Sequence, residues 1–249
     1  MTRPATAVAI IPVRVDSKRL PRKALLAESG QPLFLHTWER ARDASRFEAV
    51  YVATDSDEVT KAAEAAGAAV IQTSPEARTG SERCAEAAVG LDCDLVVDIQ
   101  GDWPEIDPAD LDRLVDALAT GSAPTATLAT PLTDPEAIAN PNVVKVVPGL
   151  DGNALYFSRC PIPHSKGERT HPTRRHIGVY AFTRDVLLTI PDLPSSGVAE
   201  IESLEQLRFL ENGIAMQVLD TDHAPWGIED GDDYRAFLQR LAQREGPRS

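Results

Sequence analysis

Residues 7–25 read AVAIIPVRVDSKRLPRKAL. The first seven form a continuous apolar run, half of it β-branched. That is the pattern of a strand buried on both faces of a parallel sheet. Directly after it, Arg14, Lys18, Arg19, Arg22 and Lys23 fall within ten residues, although the chain as a whole carries a formal net charge of -13. Positive charge gathered at the end of a first strand, in an acidic protein, calls for a physical reason.

Working outward, the spacing predicts a helix over 32–44, with Pro32 suited to a first turn, and a second strand over 49–55. A helix follows over 56–67, with a Ser or Asp start and a Gly stop. Then come a strand at 68–73, a helix at 81–90, a strand at 94–102 and a helix at 107–120. Alternating strands and helices predict an α/β protein with a mainly parallel central sheet flanked by helices and right-handed crossovers. From about residue 125 the rhythm changes. TATLATPL, NVVKVV, NALYFS and HIGVYAFT read as strands with few helices between them, followed by helices at 200–211 and 231–243. We expect one domain over 1–249 with a strand-rich arm over 125–200.

Composition narrows the function. The 249 residues are 43% hydrophobic and 25% charged, the balance of a globular protein with a substantial core. No apolar run reaches the ~20 residues of a membrane span, and the N-terminal stretch lacks a cleavage pattern. The three cysteines are scattered, without a C-x-x-C pair, so neither a zinc site nor a disulfide framework is expected. A reducing cytoplasm is the simplest compartment. The negative charge argues against nucleic acid or an anionic membrane as partner. An anionic ligand must therefore find a local basic pocket.

In an open parallel sheet, ligands bind beyond the carboxyl ends of the strands, where the 14–23 loop leaves. Such a run can be a solvated charge cluster. Against that, Leu20 and Pro21 stiffen the backbone, and no acidic residue lies between Lys18 and Ala27 to pair the cations. The composition suits a polyphosphate, because Arg forks grip phosphate oxygens and Lys adds a point charge. The loop lacks the Walker A and G-x-G-x-x-G patterns.

Arg14, Ser17, Arg19, Leu20, Pro21 and Lys23 make the pattern R-x-x-S-x-R-L-P-x-K. It resembles the signature loop of the CMP-KDO synthetase (3-deoxy-manno-octulosonate cytidylyltransferase) family. VATDSDEV (52–59), TGSERCAEA (79–87), IQGDWP (99–104), NPNVVKVV (140–147), ALYFSRCPIP (154–163), HIGVYAF (176–182) and LEQLR (204–208) resemble further family blocks, in the same order. The resemblance implies transfer of CMP from CTP to a small sugar acid with release of pyrophosphate, and a homodimer. Arg14, Ser17, Arg19 and Lys23 would hold the triphosphate. Thr79, Gly80, Ser81, Arg83 and Gln100 would face the base. Arg159, His176, Tyr180, Glu205 and Gln206 fall in the acceptor blocks. Mg2+ would take Asp102, with Glu229 or Asp230 as a second ligand. Each residue also has a plainer reading. Asp102 could be a turn residue after Gly101, Arg159 a surface ion pair, His176 a satisfied core histidine, Glu205 a solvated helix face, and Glu229–Asp230 an acidic helix start.

Three positions depart from the family pattern. Trp103 replaces the Glu of Q-G-D-E-P, Ala199 replaces the first Glu of L-E-x-x-E, and Arg22 replaces the Gly before the loop lysine. With these changes the expected acceptor is a KDO-like 3-deoxy ulosonic acid or a related small acid. Two other functions fit the residues: nucleotidyl transfer to a sugar phosphate, and a non-catalytic nucleotide-binding regulator.

Overall fold

Strand β1, Ala7–Pro12, is buried at every position. In the computed structural model, which describes residues 5–17, 19–121, 123–167, 171–194 and 196–244, its side chains alternate between two cores. Ala7, Ala9 and Ile11 pack with Phe34, Trp38, Ile99 and Leu111 on one face. Val8 and Ile10 pack with Cys84, Phe157, Phe182 and Phe209 on the other. A run that is apolar without alternation is therefore a strand with helices on both sides, as β1's sequence predicts.

The other elements of the first half follow the expected order. Helix α1 spans Leu33–Arg42, with Pro32 as its N-cap residue. Strand β2 is Phe47–Thr54. Helix α2, Asp57–Ala65, is capped by Ser56, whose hydroxyl accepts from the Val59 N–H, and the chain leaves it through Gly67 at φ 80°, a conformation glycine adopts freely. Strand β3 is Ala69–Gln72, helix α3 Gly80–Ala88, strand β4 Leu95–Ile99 and helix α4 Pro108–Thr120.

The second half contains the four expected strands and the expected last helix, with further elements between them. It contains β5 (Thr125–Leu132), α5 (Pro135–Ala139), β6 (Lys145–Pro148), β7 (Ala154–Ser158), β8 (Thr173–Thr183) and α6 (Arg184–Thr189). It ends with α7 (Gly197–Glu202), α8 (Glu205–Glu211), β9 (Met216–Asp220) and α9 (Gly231–Arg244). The central sheet runs β3-β2-β1-β4-β8-β5-β9, with β6 pairing both β7 and β8. β1 is parallel to β2 and β4, and β2 is parallel to β3. β8 is antiparallel to both β4 and β5, and β9 is parallel to β5.

The strand-rich segment 125–200 is built into the central sheet. β5 and β8 are inner strands of the sheet, and what branches from it is the β6–β7 hairpin. The helix expected over 200–211 is two helices, because Ser203 takes a left-handed conformation at φ 52°. β9 escapes the sequence reading because it is a short edge strand with a half-buried pattern.

The sheet order reverses at β1, whose neighbours are β2 and β4. A crevice opens beyond the carboxyl ends at such a switch point, and there the basic loop emerges.

Candidate functional site

A cleft of about 870 Å³ lies at this edge. Of the residues the sequence singles out, Arg14, Ser17, Arg19, Lys23, Thr79, Gly80, Arg83, Gln100, Asp102, Arg159, His176, Tyr180, Glu205, Gln206, Glu229 and Asp230 all line it. Ser81 does not. Lys18 lies outside the described residues.

The basic loop is tied down rather than loose. Leu20 packs against the cluster of Leu33, Ile228 and Phe237. Lys23 Nζ donates to Asp102 Oδ2 at 2.5 Å and to the Ile228 carbonyl at 2.6 Å. The Ile228 N–H in turn donates to the Asp102 carbonyl at 2.9 Å. Arg19 pairs with Glu229, and Arg22 with Glu58. The acidic partners missing from the loop's own sequence thus come from distant segments. Arg22 sits at φ 56°, the left-handed region, so the glycine that the family pattern places there has a backbone reason.

Asp102 and Glu229 face the basic loop from the opposite wall. Burial pushes the Glu229 carboxyl up, with the nearby Asp102 charge adding to it and Lys23 and Arg19 opposing. Asp230 is engaged elsewhere: its Oδ1 accepts from the Asp232 and Asp233 N–H groups at 2.8 and 3.1 Å. It caps the start of α9, as an Asp at that position does. Of the two candidates for a second cation ligand, Glu229 is the one whose carboxylate lies by Asp102. Two carboxylates opposite a basic loop are a hard-oxygen donor set that fits a divalent cation. Among the described residues no group of three or more His, Cys, Asp or Glu is arranged for a metal, so the phosphates of a bound nucleotide would have to complete such a site.

The segment expected to face the base divides into parts that line the cleft and parts that support it. Thr79 caps α3, accepting from the Glu82 N–H. A Cβ on Gly80 would lie 2.2 Å from Gln100 Nε2, so a larger residue there would displace the Gln100 side chain from this turn. Gln100 Nε2 donates to Asp98 Oδ1 at 2.7 Å. Ser81, fully buried, donates to Asp98 Oδ2 at 3.0 Å and braces the turn from beneath. Burial, with the Glu205 charge nearby, lifts the Asp98 carboxyl to about 8. Arg83 is committed to Asp55 at 3.1 Å and also bonds Thr73.

In the acceptor half, His176 Nε2 lies 2.9 Å from Thr127 Oγ1, and the ring stacks edge-on to Phe157. Burial lowers its pKa to about 3, so it is a neutral, satisfied histidine that also forms part of the cleft wall. The Tyr180 hydroxyl donates to Gln206 Oε1 at 3.3 Å, and Gln206 Nε2 has no partner among the described residues. Burial pushes the Glu205 carboxyl toward the protonated form, with nearby Thr79 and Ser81 opposing, and its Oε2 has no hydrogen-bond partner among the described residues. Glu205 lines the cleft beside the α3 start.

Arg159 lines the cleft, and its donors are engaged by the backbone. Its Nε, Nη1 and Nη2 donate to the carbonyls of Glu202, Pro141 and Ser203 at 2.7, 3.0 and 3.2 Å. The guanidinium clamps α7 to the chain after β7. Trp103 lies between Gly178 and Gly227, where added Cβ atoms would come within 3.2 Å of its indole. Arg175 and Trp226 also line the cleft and were not singled out. The signal for Arg175 was its place beside His176 in the RRHIGVY run.

The switch-point cleft, the loop with its cross-paired acids and the Gln100–Asp102 turn together define a nucleotidyltransferase, and the family model for cytidylyltransferases matches residues 8–218. The chain belongs to the 3-deoxy-manno-octulosonate cytidylyltransferase family. The protein of that name from Chlorobium limicola is 46% identical over 246 residues, 96% of this chain and 99% of its own length. Its counterpart from Anaeromyxobacter sp. is 48% identical over 235 residues, 92% of this chain and 95% of its own. The solved structure of CMP:2-keto-3-deoxy-manno-octonic acid synthetase complexed with CTP superposes with a TM-score of 0.91 at 36% identity, covering 96% of this chain and all of that one.

Proposed function

We propose that the protein transfers CMP from CTP to a 2-keto-3-deoxy eight-carbon sugar acid, 3-deoxy-manno-octulosonate, with release of pyrophosphate. The observation that carries this reading is the meeting of the Arg14–Lys23 loop with the Asp102–Glu229 wall in one cleft, in a chain of this family. The acceptor's anomeric oxygen attacks the α-phosphorus in line as pyrophosphate leaves with added charge. Catalysis of that step is mostly positioning and charge stabilisation. Arg14, Arg19 and Lys23 neutralise the phosphates, with Ser17 as a hydroxyl donor. Thr79, Gly80, Arg83 and Gln100 form the base wall over Ser81. His176, Tyr180, Glu205 and Gln206 border the acceptor.

Bare carboxylates beside phosphates repel them. A magnesium ion held by Asp102 and Glu229 would supply positive charge at the phosphate oxygens, and the two pairs Lys23–Asp102 and Arg19–Glu229 would then exchange partners as nucleotide enters.

As a homodimer, the chain would cover some of its exposed apolar side chains, among them Leu150 between β6 and β7, Leu155 and Tyr156 on β7, and Ile201 on α7. A cytoplasmic setting fits the buried, free Cys84 and Cys93. Among the described residues no helix is long and apolar enough to cross a membrane.

The test is a pyrophosphate-release screen of four nucleoside triphosphates against a panel of sugar acids and sugar phosphates. Turnover is expected with CTP and the sugar acid. Turnover confined to sugar phosphates, or CTP binding without turnover on any acceptor, overturns the reading.

A further inference from the structure

Arg175, on β8, is 3% exposed. Its guanidinium carbon stands 4.2 Å from the centre of the Trp226 ring. Nη2 has no hydrogen-bond partner among the described residues. Burial pushes its pKa down to about 10, and no carboxylate nearby pulls it back. Arg remains charged at such a value. A buried, unpaired cation is costly to desolvate, so its presence in the wall of a binding cleft points to a ligand.

The neighbouring arginines already have partners. Arg83 is paired with Asp55, Arg208 and Arg78 with Glu82, Arg19 with Glu229, and the Arg159 fork with three carbonyls. We propose that Arg175, held against Trp226, is the anchor for the carboxylate of the sugar-acid acceptor, the part the sequence assigns to Arg159.

This inference rests on the proposed acceptor class. β8 is two strands away from β1 in the sheet, roughly 10 Å at the usual strand spacing. His176 and Tyr180 of the proposed acceptor wall lie on one face of β8, and Arg175 lies on the other, against Trp226, with both faces contributing to the same cleft. A planar carboxylate matches the guanidinium fork in two parallel hydrogen bonds. Trp226 covers one face of the guanidinium, leaving its in-plane donors to meet the carboxylate. The pair then forms in a water-poor site, where it is strong.

The experiment measures binding, not turnover. Calorimetry with 3-deoxy-manno-octulosonate and with its methyl ester is run in the presence of a CTP analogue carrying a methylene bridge between the α and β phosphates. The wild-type protein is expected to prefer the acid by about 100-fold, in line with a truncated charge-assisted pair. Arg175→Met should reduce that preference to within about threefold, leave affinity for the CTP analogue unchanged within about twofold, and melt no lower than wild type because an unpaired buried charge is gone. Arg175→Lys, which keeps charge but loses the fork, is a second folded probe and should be intermediate. An acid preference that survives both variants, a loss that falls on the CTP analogue instead, or a wild-type protein that binds acid and ester equally or not at all overturns the proposal. The pyrophosphate-release screen stands apart. Wild-type turnover with the sugar acid, alongside a failed calorimetric cycle, removes Arg175 and leaves the function in place.

Discussion

Lys23 Nζ lies 2.5 Å from Asp102 Oδ2, a contact between residues 79 apart in the chain. The lysine of the basic loop and the carboxylate at the end of β4 hold each other in place across the mouth of the cleft. A triphosphate would compete for the first, and a cation for the second.

Lys23→Ala and Arg19→Ala should therefore separate in stability while agreeing in activity. Both are expected to lower kcat by about 100-fold or more, the usual loss when a transition-state donor is removed. Lys23 also satisfies the Ile228 carbonyl, so its loss should cost ~1–2 kcal/mol of folding free energy. The Arg19 side chain is 49% exposed, and its loss should cost under ~1 kcal/mol. Steady-state kinetics with urea unfolding measures both, and full activity in either variant rules out its phosphate contact.

Asp102→Asn and Glu229→Gln should each remove most magnesium-dependent turnover. Asp230→Asn should keep it, because Asn caps a helix about as well as Asp and the Asp230 carboxylate caps α9. Activity titrated against magnesium distinguishes the three. A large loss in Asp230→Asn with Glu229→Gln intact would exchange their parts.

Stability should depend on pH through two buried groups of opposite sign. Asp98, lifted from 3.8 to about 8, holds a proton in the folded state that the unfolded chain releases above about pH 4. Its contribution is complete below the unfolded value and is lost as pH rises toward 8. His176, lowered from 6.5 to about 3, stays neutral when folded while the unfolded chain takes up a proton. Its contribution is complete above pH 6.5 and is lost as pH falls toward 3. The slopes oppose each other between about pH 4 and 6.5. From 6.5 to 8 Asp98 acts without that opposition and should lower stability by up to ~1.4 kcal/mol per pH unit. Asp98→Asn should flatten this stretch in urea unfolding at stepped pH, and an unchanged slope would remove Asp98 from the account.

Arg22→Gly is expected to hold or raise the melting temperature with activity kept. Relief of a left-handed backbone, worth ~1 kcal/mol, is set against the greater unfolded-state freedom of glycine and the loss of an exposed pair with Glu58. A fall of several degrees would mean that the Glu58 contact outweighs the backbone strain.

Light scattering at micromolar concentration should find a dimer that Ile201→Asp or Leu155→Asp converts to a monomer, since a charge is costly in an apolar interface. A wild-type monomer would leave these exposed side chains unexplained.

What was legible in the sequence is what short-range chemistry encodes. The β1 run specified a strand buried on both faces, and Ser56 and Asp107 began helices they cap, because periodicity and capping act within a few residues. The tertiary structure decided the rest. It ran β8 antiparallel into the middle of the sheet, supplied Asp102 and Glu229 to a loop without acids of its own, committed Arg159 to backbone carbonyls and buried Arg175 unpaired. Each of these depends on which distant groups share a low-dielectric neighbourhood and which hydrogen bonds are already satisfied there. Burial and long-range pairing arise only when the sheet closes, so no local pattern carries them.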